Sequence, residues 1–200
     1  MKDSVRPNDI AICLNLAKQG ERLEPTNAVF PTLRAVALFA AKRDSEAITA
    51  IETASKLPRW DEYTTEEVQG AWSLGDFALG RNNTMARAGI LASISFSHYG
   101  PIKEAARWAV SAAESAEYKK DAQRAYAIRK SLMKLGALMR ASSTTFAGAS
   151  TGAAVQDIAI IEMKPPTERS TQVPLPLRRA ASIRACPRPH PAKNYRVACE

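Results

Sequence analysis

Small and apolar side chains recur at helical spacing in two long stretches of the chain. One set is Ile102, Ala105, Ala109, Ala112 and Ala116, and the other is Ala125, Ile128, Leu132, Leu135 and Met139. Successive members of both sets are separated by three or four residues, which places them on one face of an α-helix. The pattern predicts a helix beginning near Pro101 and another over about Lys119 to Met139. We expect these faces to pack against other helices.

The first 60 residues predict three further helices. The first covers about Asn8 to Gln19 and is followed by Gly20, a residue typical of the position after a helix end. Thr32–Leu57 contains two apolar segments joined by a short charged turn, and Pro58 ends the second. We interpret this region as two antiparallel helices.

The central part of the chain predicts two more helices. Thr64–Glu67 resembles a helix start, with a hydroxyl cap and two carboxylates in the first turn. Arg81–Thr84 is predicted to be a turn with a cap, and Met85–Ser97 a further helix, although its end at Ile94–Ser97 also suits a strand. Between Glu67 and the turn at Arg81, several residues supply bulk for packing: Trp72, Leu74, Phe77, Ala78 and Leu79.

The chain changes character at Ser142. The following residues are small and show no periodicity, Ile158–Ile161 is an isolated strand-like run, and seven of the 12 prolines lie beyond it. Such a segment buries too little apolar surface to offset the entropy of ordering it. The sequence therefore predicts an all-α protein, a helical bundle or stacked helical hairpins of about six to seven helices over residues 1–141. Residues 142–200 are predicted to be a disordered, basic, Pro/Arg-rich tail.

One hairpin has a familiar pattern. Ala35–Pro58, with Ala47, Ile51, Ala54 and the closing proline, resembles a helical hairpin of the tetratricopeptide type. The resemblance covers this hairpin alone, lacks the aromatic and glycine positions of that family's first helix, and is not repeated at an interval of about 34 residues. We therefore do not assign the family.

Positive charge is the strongest compositional feature. The net charge is +8, and residues 1–141 contain 20 basic and 16 acidic residues whereas residues 142–200 contain 8 and 4. Such an excess attracts nucleic acid or another polyanion through a field that salt screens. The residues best placed for phosphate binding lie on the last predicted helix and in the tail: Lys130, Lys134, Arg178, Arg179 and Arg184.

Catalytic and metal-binding patterns are weak. Gly148–Gly152 matches the G-x-S-x-G nucleophile motif, but no apolar strand precedes it, so we interpret it as a linker. Cys186, His190 and Cys199 supply zinc-ligand atoms without a compact paired motif. The local sequence places no carboxylate near His98, the other histidine, which is predicted to be a turn residue. We expect no cofactor and no bound metal, and we favour a function that is not enzymatic.

The remaining features concern location. Three cysteines are an odd number and form no disulfide framework, which favours a reducing compartment. The N-terminal segment lacks the pattern of a signal peptide, and no apolar stretch is long enough for a membrane helix. We expect a cytoplasmic protein that acts through protein partners. The alternative is a nucleic-acid-associated protein that binds phosphates through its basic last helix and tail.

Overall fold

The computed structural model describes residues 7–80, 84–93 and 96–161, and within these ranges the chain is all-α. The prediction of an all-α fold is confirmed, with one or two helices more than expected. The eight helices of the described residues are α1 (Pro7–Leu23), α2 (Val29–Ala40), α3 (Asp44–Ala54), α4 (Thr64–Leu79), α5 (Thr84–Ser93), α6 (Tyr99–Tyr118), α7 (Ala122–Ser142) and α8 (Phe146–Ile161).

Six of these helices form one packed body. α1 packs on α2, and α2 and α3 form the predicted hairpin. α6 and α7 form a second hairpin, against which α8 packs. Contacts of α2 and α3 with α6, and of α3 with α7, join the two groups. α4 and α5 contact each other and none of the other described helices.

The predicted face of α7 is the centre of the core. Its members Ala125, Ile128, Leu132, Leu135 and Met139 are all buried. On α6, Ile102, Ala105 and Ala109 are buried as predicted, whereas Ala112 and Ala116 are only partly covered. The small side chains of α6 allow its neighbours to approach closely, as helix packing requires.

The α2–α3 and α6–α7 hairpins turn in the same way. Lys42 has a left-handed backbone with φ of 61°, and Lys120 occupies the same place in the second hairpin with φ of 64°. The Lys42 amide donates to the Phe39 carbonyl and the Arg43 amide to the Leu38 carbonyl. This bonding pattern is the Schellman motif, which usually has glycine at the left-handed position. Both turns therefore hold a lysine where glycine would be less strained.

Gly20 does not end the first helix, contrary to the prediction. α1 continues through Gly20 to Leu23. A Cβ atom on Gly20 would lie 2.1 Å from Cδ1 of the Phe30 ring, which occupies the space above it. The glycine is needed for this close approach rather than for a turn. α1 therefore does not end at Gly20 but continues for three more residues.

The expectation that residues 142–161 are unstructured, with a strand-like run at its end, is wrong. Phe146–Ile161 is the helix α8, and its side chains Val155 and Ala159 are buried against the core. Residues 162–200, the remainder of the predicted tail, lie outside the described residues. The helical part of the chain therefore extends about 20 residues beyond the predicted boundary at Ala141.

Glycine contacts allow α8 to pack closely on α7. A Cβ on Gly136 of α7 would lie 2.6 Å from the Gly152 carbonyl oxygen, and a Cβ on Gly152 would lie 2.7 Å from the Gly136 carbonyl oxygen. The two backbones thus approach more closely than side chains would allow. Within the G-x-S-x-G motif, Ser150 Oγ donates to the Ala147 carbonyl inside α8. The motif is neither a nucleophile turn nor the linker that we predicted, but part of a helix–helix contact.

Arg129 of α7 joins the same interface from inside the core. Its side chain is 3% exposed, and its Nε lies 3.1 Å from Oε1 of Glu117 on α6. Its Nη1 donates to the Ala159 carbonyl over 3.0 Å. A positive charge at the last turn of α8 is favourable because the carbonyls of a helix C-terminus are partly negative. Arg129 therefore connects α6, α7 and α8.

Candidate functional site

The α4–α5 hairpin has an unusual surface for a helical pair. α4 has no buried residue along its 16 positions. Four large apolar side chains of the hairpin are exposed, with Phe77 at 90% and the others between 63% and 82%: Leu74, Leu79 and Met85. The α4 side chains that were predicted to supply bulk for packing lie on a helix that, within the described residues, packs only on α5. The hairpin therefore packs on no other described helix and leaves these four apolar side chains uncovered.

Contacts within the hairpin fix its two helices relative to each other. Arg87 of α5 donates to both carboxylate oxygens of Asp76 on α4, over 3.3 and 2.6 Å. The Trp72 indole donates to the Arg87 carbonyl over 3.4 Å, and the Arg87 guanidinium lies 5.8 Å from the centre of the Trp72 ring. The Arg87–Asp76 ion pair therefore joins the two helices, although both side chains remain partly exposed.

A second exposed apolar group lies on the body. Ile12 and Leu16 of α1 are one helical turn apart and are 56% and 57% exposed. Unlike α4, α1 contributes buried residues to the core, Ala17 and Gly20. Isolated exposed apolar side chains are common on protein surfaces. The α4–α5 hairpin is the stronger candidate because it has no packed face in the body.

A polar cluster lies at the base of the hairpin, and Asn27 positions the segment that forms it. Asn27 is fully buried between α1 and α2. Its Oδ1 accepts the amides of Val29 and Asp61, and its Nδ2 donates to the Asp61 carbonyl over 3.0 Å. The Asp61 carboxylate in turn accepts the Tyr63 amide, whose backbone is left-handed with φ of 57°. α4 begins at Thr64 as predicted, but no hydroxyl caps it.

Glu62 is the centre of this cluster. Its side chain is only 7% exposed. The Trp60 indole donates to Oε1, the Tyr99 hydroxyl donates to Oε2, and the His98 Nε2 lies 3.4 Å from Oε2. The Tyr99 hydroxyl also lies 3.3 Å from Oγ1 of Thr145, in the turn between α7 and α8. The cluster therefore connects the α3–α4 segment to the start of α6 and to the α7–α8 turn.

The protonation states of the cluster follow from these bonds. Burial by itself raises the pKa of Glu62, but hydrogen bonds from His98, Tyr99 and Trp60 outweigh it, so the pKa of Glu62 lies below its ordinary value. Burial, followed by the hydrogen bond to Glu62, raises the pKa of Tyr99 to about 12. At neutral pH the carboxylate is therefore ionised and the phenol is neutral.

A cleft of about 360 Å³ lies beside the cluster, between residues 58–66 and the end of α7. Asp61 and Glu62 face it, yet their oxygens already accept hydrogen bonds from protein groups. His98, the histidine of the cluster, does not line the cleft. The hydrogen bonds of the cluster fit a structural role in joining elements better than acid–base chemistry.

Comparisons with family models, with curated proteins and with solved structures found no match for this chain. The candidate sites must therefore be judged on their own geometry. The part of the chain described by the structure contains no group of three or more His, Cys, Asp or Glu side chains arranged to hold a metal ion. Cys186, His190 and Cys199 lie outside that part. No helix in the described ranges is both long and apolar enough to cross a lipid bilayer.

The predicted basic residues are divided between described and undescribed regions. Lys130 and Lys134 are exposed on α7, about one helical turn apart, and Lys130 Nζ lies 5.6 Å from the centre of the Tyr126 ring. Arg124, on the same side of the predicted helix, is paired with Glu52 of α3 over 2.6 Å. The structure thus neutralises part of the basic surface. The three other predicted residues lie outside the described residues: Arg178, Arg179 and Arg184.

Neither candidate site could be recognised from the local sequence. Glu62 and His98 are 36 residues apart, and neither lies in a local motif. The exposed Leu74 and Phe77 of α4 are residue types that also form buried faces, so their surroundings decide whether they are covered. The cluster of tyrosine, tryptophan and glutamate around the α3–α4 segment was the one available signal.

Proposed function

We propose that this protein is a non-enzymatic helical module that binds protein partners through its α4–α5 hairpin. The observation that supports the proposal is the pair of helices that contacts no other described helix while exposing Leu74, Phe77, Leu79 and Met85. Leu74 and Phe77 are three residues apart and share one face of α4. Exposed apolar patches on a folded protein often mark interaction sites. Aromatic side chains such as Phe77 are also enriched at the centres of protein interfaces.

The energetic argument favours a partner over an empty surface. Leaving a large aromatic side chain in water forfeits about 25 cal/mol for each Å² of apolar area that a partner would cover. The body of the protein already has a continuous core formed by six helices, which does not need this hairpin for closure. A hairpin whose large apolar side chains are exposed, and which the core does not need, is therefore better explained by binding than by stability.

A double variant tests the proposal. Leu74→Glu together with Phe77→Glu places charges at the centre of the patch without touching the core, so the variant should fold with an unchanged far-UV spectrum. Leu16→Glu on α1 is the matched control, because it makes the same change at an exposed leucine elsewhere. Native pull-down should recover specific partners with the wild type and the control, and lose them with the hairpin variant. Recovery of the same partners by the hairpin variant would refute the proposal.

A second candidate function is nucleic-acid association through charge. It is supported by the exposed side chains of Lys130 and Lys134, together with the basic residues beyond Ile161 in the sequence. Phosphate contacts of this kind weaken steeply with salt and do not depend on base sequence. The affinity for a duplex oligonucleotide should fall as salt rises and should drop when four basic residues are changed to alanine: Lys130, Lys134, Arg178 and Arg179. Binding insensitive to both changes would exclude this function.

The cellular location belongs to the same proposal. A cytoplasmic location is supported by three cysteines whose spacing suggests no disulfide framework. Localisation of the tagged full-length chain by microscopy tests it, and a signal confined to the cell exterior would contradict it.

A further inference from the structure

We infer that the α4–α5 hairpin opens from the body as a separate unit, and that the carboxylate of Glu62 controls this opening by joining the two ends of the hairpin segment. The inference goes beyond the proposed function, because it concerns how the hairpin is held rather than what it binds. Folded proteins open locally in contiguous cooperative units, and a unit with few buried apolar contacts opens at the lowest free energy. The contacts at the two ends of the hairpin therefore decide how easily it opens.

Few contacts hold the hairpin apart from those at its ends. No helix of the described ranges other than α5 contacts α4, and none other than α4 contacts α5. α4 has no buried residue along its length, so separating the hairpin from the body exposes little apolar surface. Because apolar burial is the main stabilising term in folding, this separation costs little free energy beyond that of the bonds at the two ends.

The body is complete without the α4–α5 hairpin. Its α2–α3 and α6–α7 hairpins pack directly on each other. They also bury residues at matching distances before and after the left-handed lysine of each turn: Thr32, Ala35, Ala47 and Ala54 around Lys42, and Val110, Ala113, Ala125 and Leu132 around Lys120. The α4–α5 hairpin, which lies between them in the chain, has no part in this shared core. Its opening should therefore leave the core of the body intact.

The two ends of the hairpin segment are anchored in the body independently. At the first end, Trp60 is 3% exposed, and Asp61 is held by hydrogen bonds from and to Asn27. At the second end, Tyr99 is 5% exposed, and its ring stacks on that of Phe96 with the centroids 5.3 Å apart. These anchors hold each end in place without joining one end to the other.

Glu62 connects the two ends. Its Oε2 accepts a hydrogen bond from the Tyr99 hydroxyl and lies 3.4 Å from Nε2 of His98, which is 36 residues further along the chain. The Glu62 side chain is ionised and only 7% exposed, and hydrogen bonds to a charged acceptor are about twice as strong as neutral ones. The next residue, Tyr63, has a left-handed backbone, which is strained for a residue with a side chain. Without the Glu62 contacts, the chain is free to turn at Tyr63 while the anchors at the first end stay in place.

Amide hydrogen exchange of the full chain, measured by mass spectrometry on peptic fragments, tests the inference. In the wild type, the amides of α4 and α5 should have similar protection, lower than that of the amides of α7. Glu62→Gln keeps the size of the side chain and removes its charge, so it should speed exchange in α4 and α5 at least about tenfold and leave α7 unchanged. Glu52→Gln is the matched control, because it removes the charge from a carboxylate that pairs with Arg124 inside the body. It should leave exchange in α4 and α5 unchanged.

A double variant shows whether Glu62 acts through its bond to Tyr99. Tyr99→Phe should also speed exchange in the hairpin. Added to Glu62→Gln, it should produce less than the product of the two separate effects, because both substitutions remove the same hydrogen bond. Effects that multiply in full would show that the two side chains act independently and would contradict the inferred join.

Other results would overturn the inference. Exchange in the wild-type hairpin as slow as in α7 would show that the hairpin does not open separately. An equal rise in α7 and in the hairpin of Glu62→Gln would show that Glu62 stabilises the whole fold, and an unchanged hairpin would show that Glu62 does not control it. These results do not depend on the pull-down with the Leu74→Glu and Phe77→Glu variant. Failure of the inference is therefore distinguishable from failure of the proposed function.

Discussion

Replacement of Asn27 by alanine should destabilise the protein more than any other single change at an asparagine in the described residues. Asn27 is fully buried, and its amide group makes two hydrogen bonds to the backbone of Asp61 and one to the amide of Val29. Alanine removes all three and leaves the amide and carbonyl of Asp61 without these partners. Each buried backbone group left unpaired costs about 1–3 kcal/mol.

The expected loss follows from the exposure of the affected groups. Asp61 is only partly buried, so water can replace some of the lost bonding, and the lower half of the range applies at each group. The two groups at Asp61 alone should lower the free energy of unfolding by about 2–4 kcal/mol, and the loss at Val29 adds to this. For a domain of this size the melting temperature should fall by roughly 5–15 °C.

Urea and thermal unfolding, followed by far-UV circular dichroism, measure this change. The matched control is Asn15→Ala, at an exposed position within α1, where alanine favours the helix and should change stability by no more than about 0.5 kcal/mol. Because Asn27 fixes the segment that contains Glu62, the variant should also loosen the polar cluster. A loss below about 1 kcal/mol, or one equal to that of the control, would show that the hydrogen bonds between Asn27 and Asp61 contribute little to stability.

Three further predictions concern strain, packing and pH. Lys42→Gly should raise the free energy of unfolding by about 0.5–1 kcal/mol in a urea titration, because glycine adopts the left-handed turn without strain; no gain would contradict the argument. Gly152→Ala should lower the melting temperature markedly, because its Cβ would meet backbone atoms at 2.7 Å, whereas Gly70→Ala, which meets open space, should not. The phenol of Tyr99 should ionise near pH 12. The difference in phenolate absorbance between the wild type and Tyr99→Phe should therefore rise near pH 12 and not near pH 10. Because the pKa of Tyr99 is raised in the folded protein, the protonated phenol stabilises the fold below pH 10, and this stabilisation is lost as the pH rises towards 12. An equal pH dependence of the free energy of unfolding in Tyr99→Phe would refute this prediction.

Acid should also destabilise the polar cluster, through Glu62 rather than Tyr99. The pKa of Glu62 is lowered in the folded protein, so its stabilising contribution is present above the pKa of the unfolded chain and is lost as the pH falls through the folded value. Glu62→Gln should therefore show a smaller loss of stability on acidification than the wild type, measured by urea unfolding at several pH values. Parallel curves for the two proteins would contradict this assignment.

The sequence by itself determined the helices whose apolar spacing is regular. The buried face of α7, from Ala125 to Met139, was predicted residue by residue, because a period of 3.6 residues leaves little choice about which side chains share a face. The α2–α3 hairpin was recognisable for the same reason, with its charged turn and closing proline. These features depend on local geometry, which the order of the residues determines directly.

Where the local pattern is ambiguous, only the tertiary structure decided which segments are helical and where a helix ends. α8 has no regular polar face, and it packs closely on α7 because Gly152 allows its backbone to lie against Gly136. Gly20 serves the approach of a ring from the next helix, which no rule about helix ends anticipates. Tertiary packing overrides such weak local preferences.

The candidate sites show the same division most clearly. Leu74 and Phe77 would look alike in a core and on a surface, and only the absence of a neighbouring described helix leaves them in water. Glu62 meets His98 across 36 residues because Asn27 fixes one connection against another. The physical reason is that burial and long-range hydrogen bonds depend on which elements become neighbours, and helical periodicity carries no information about that choice.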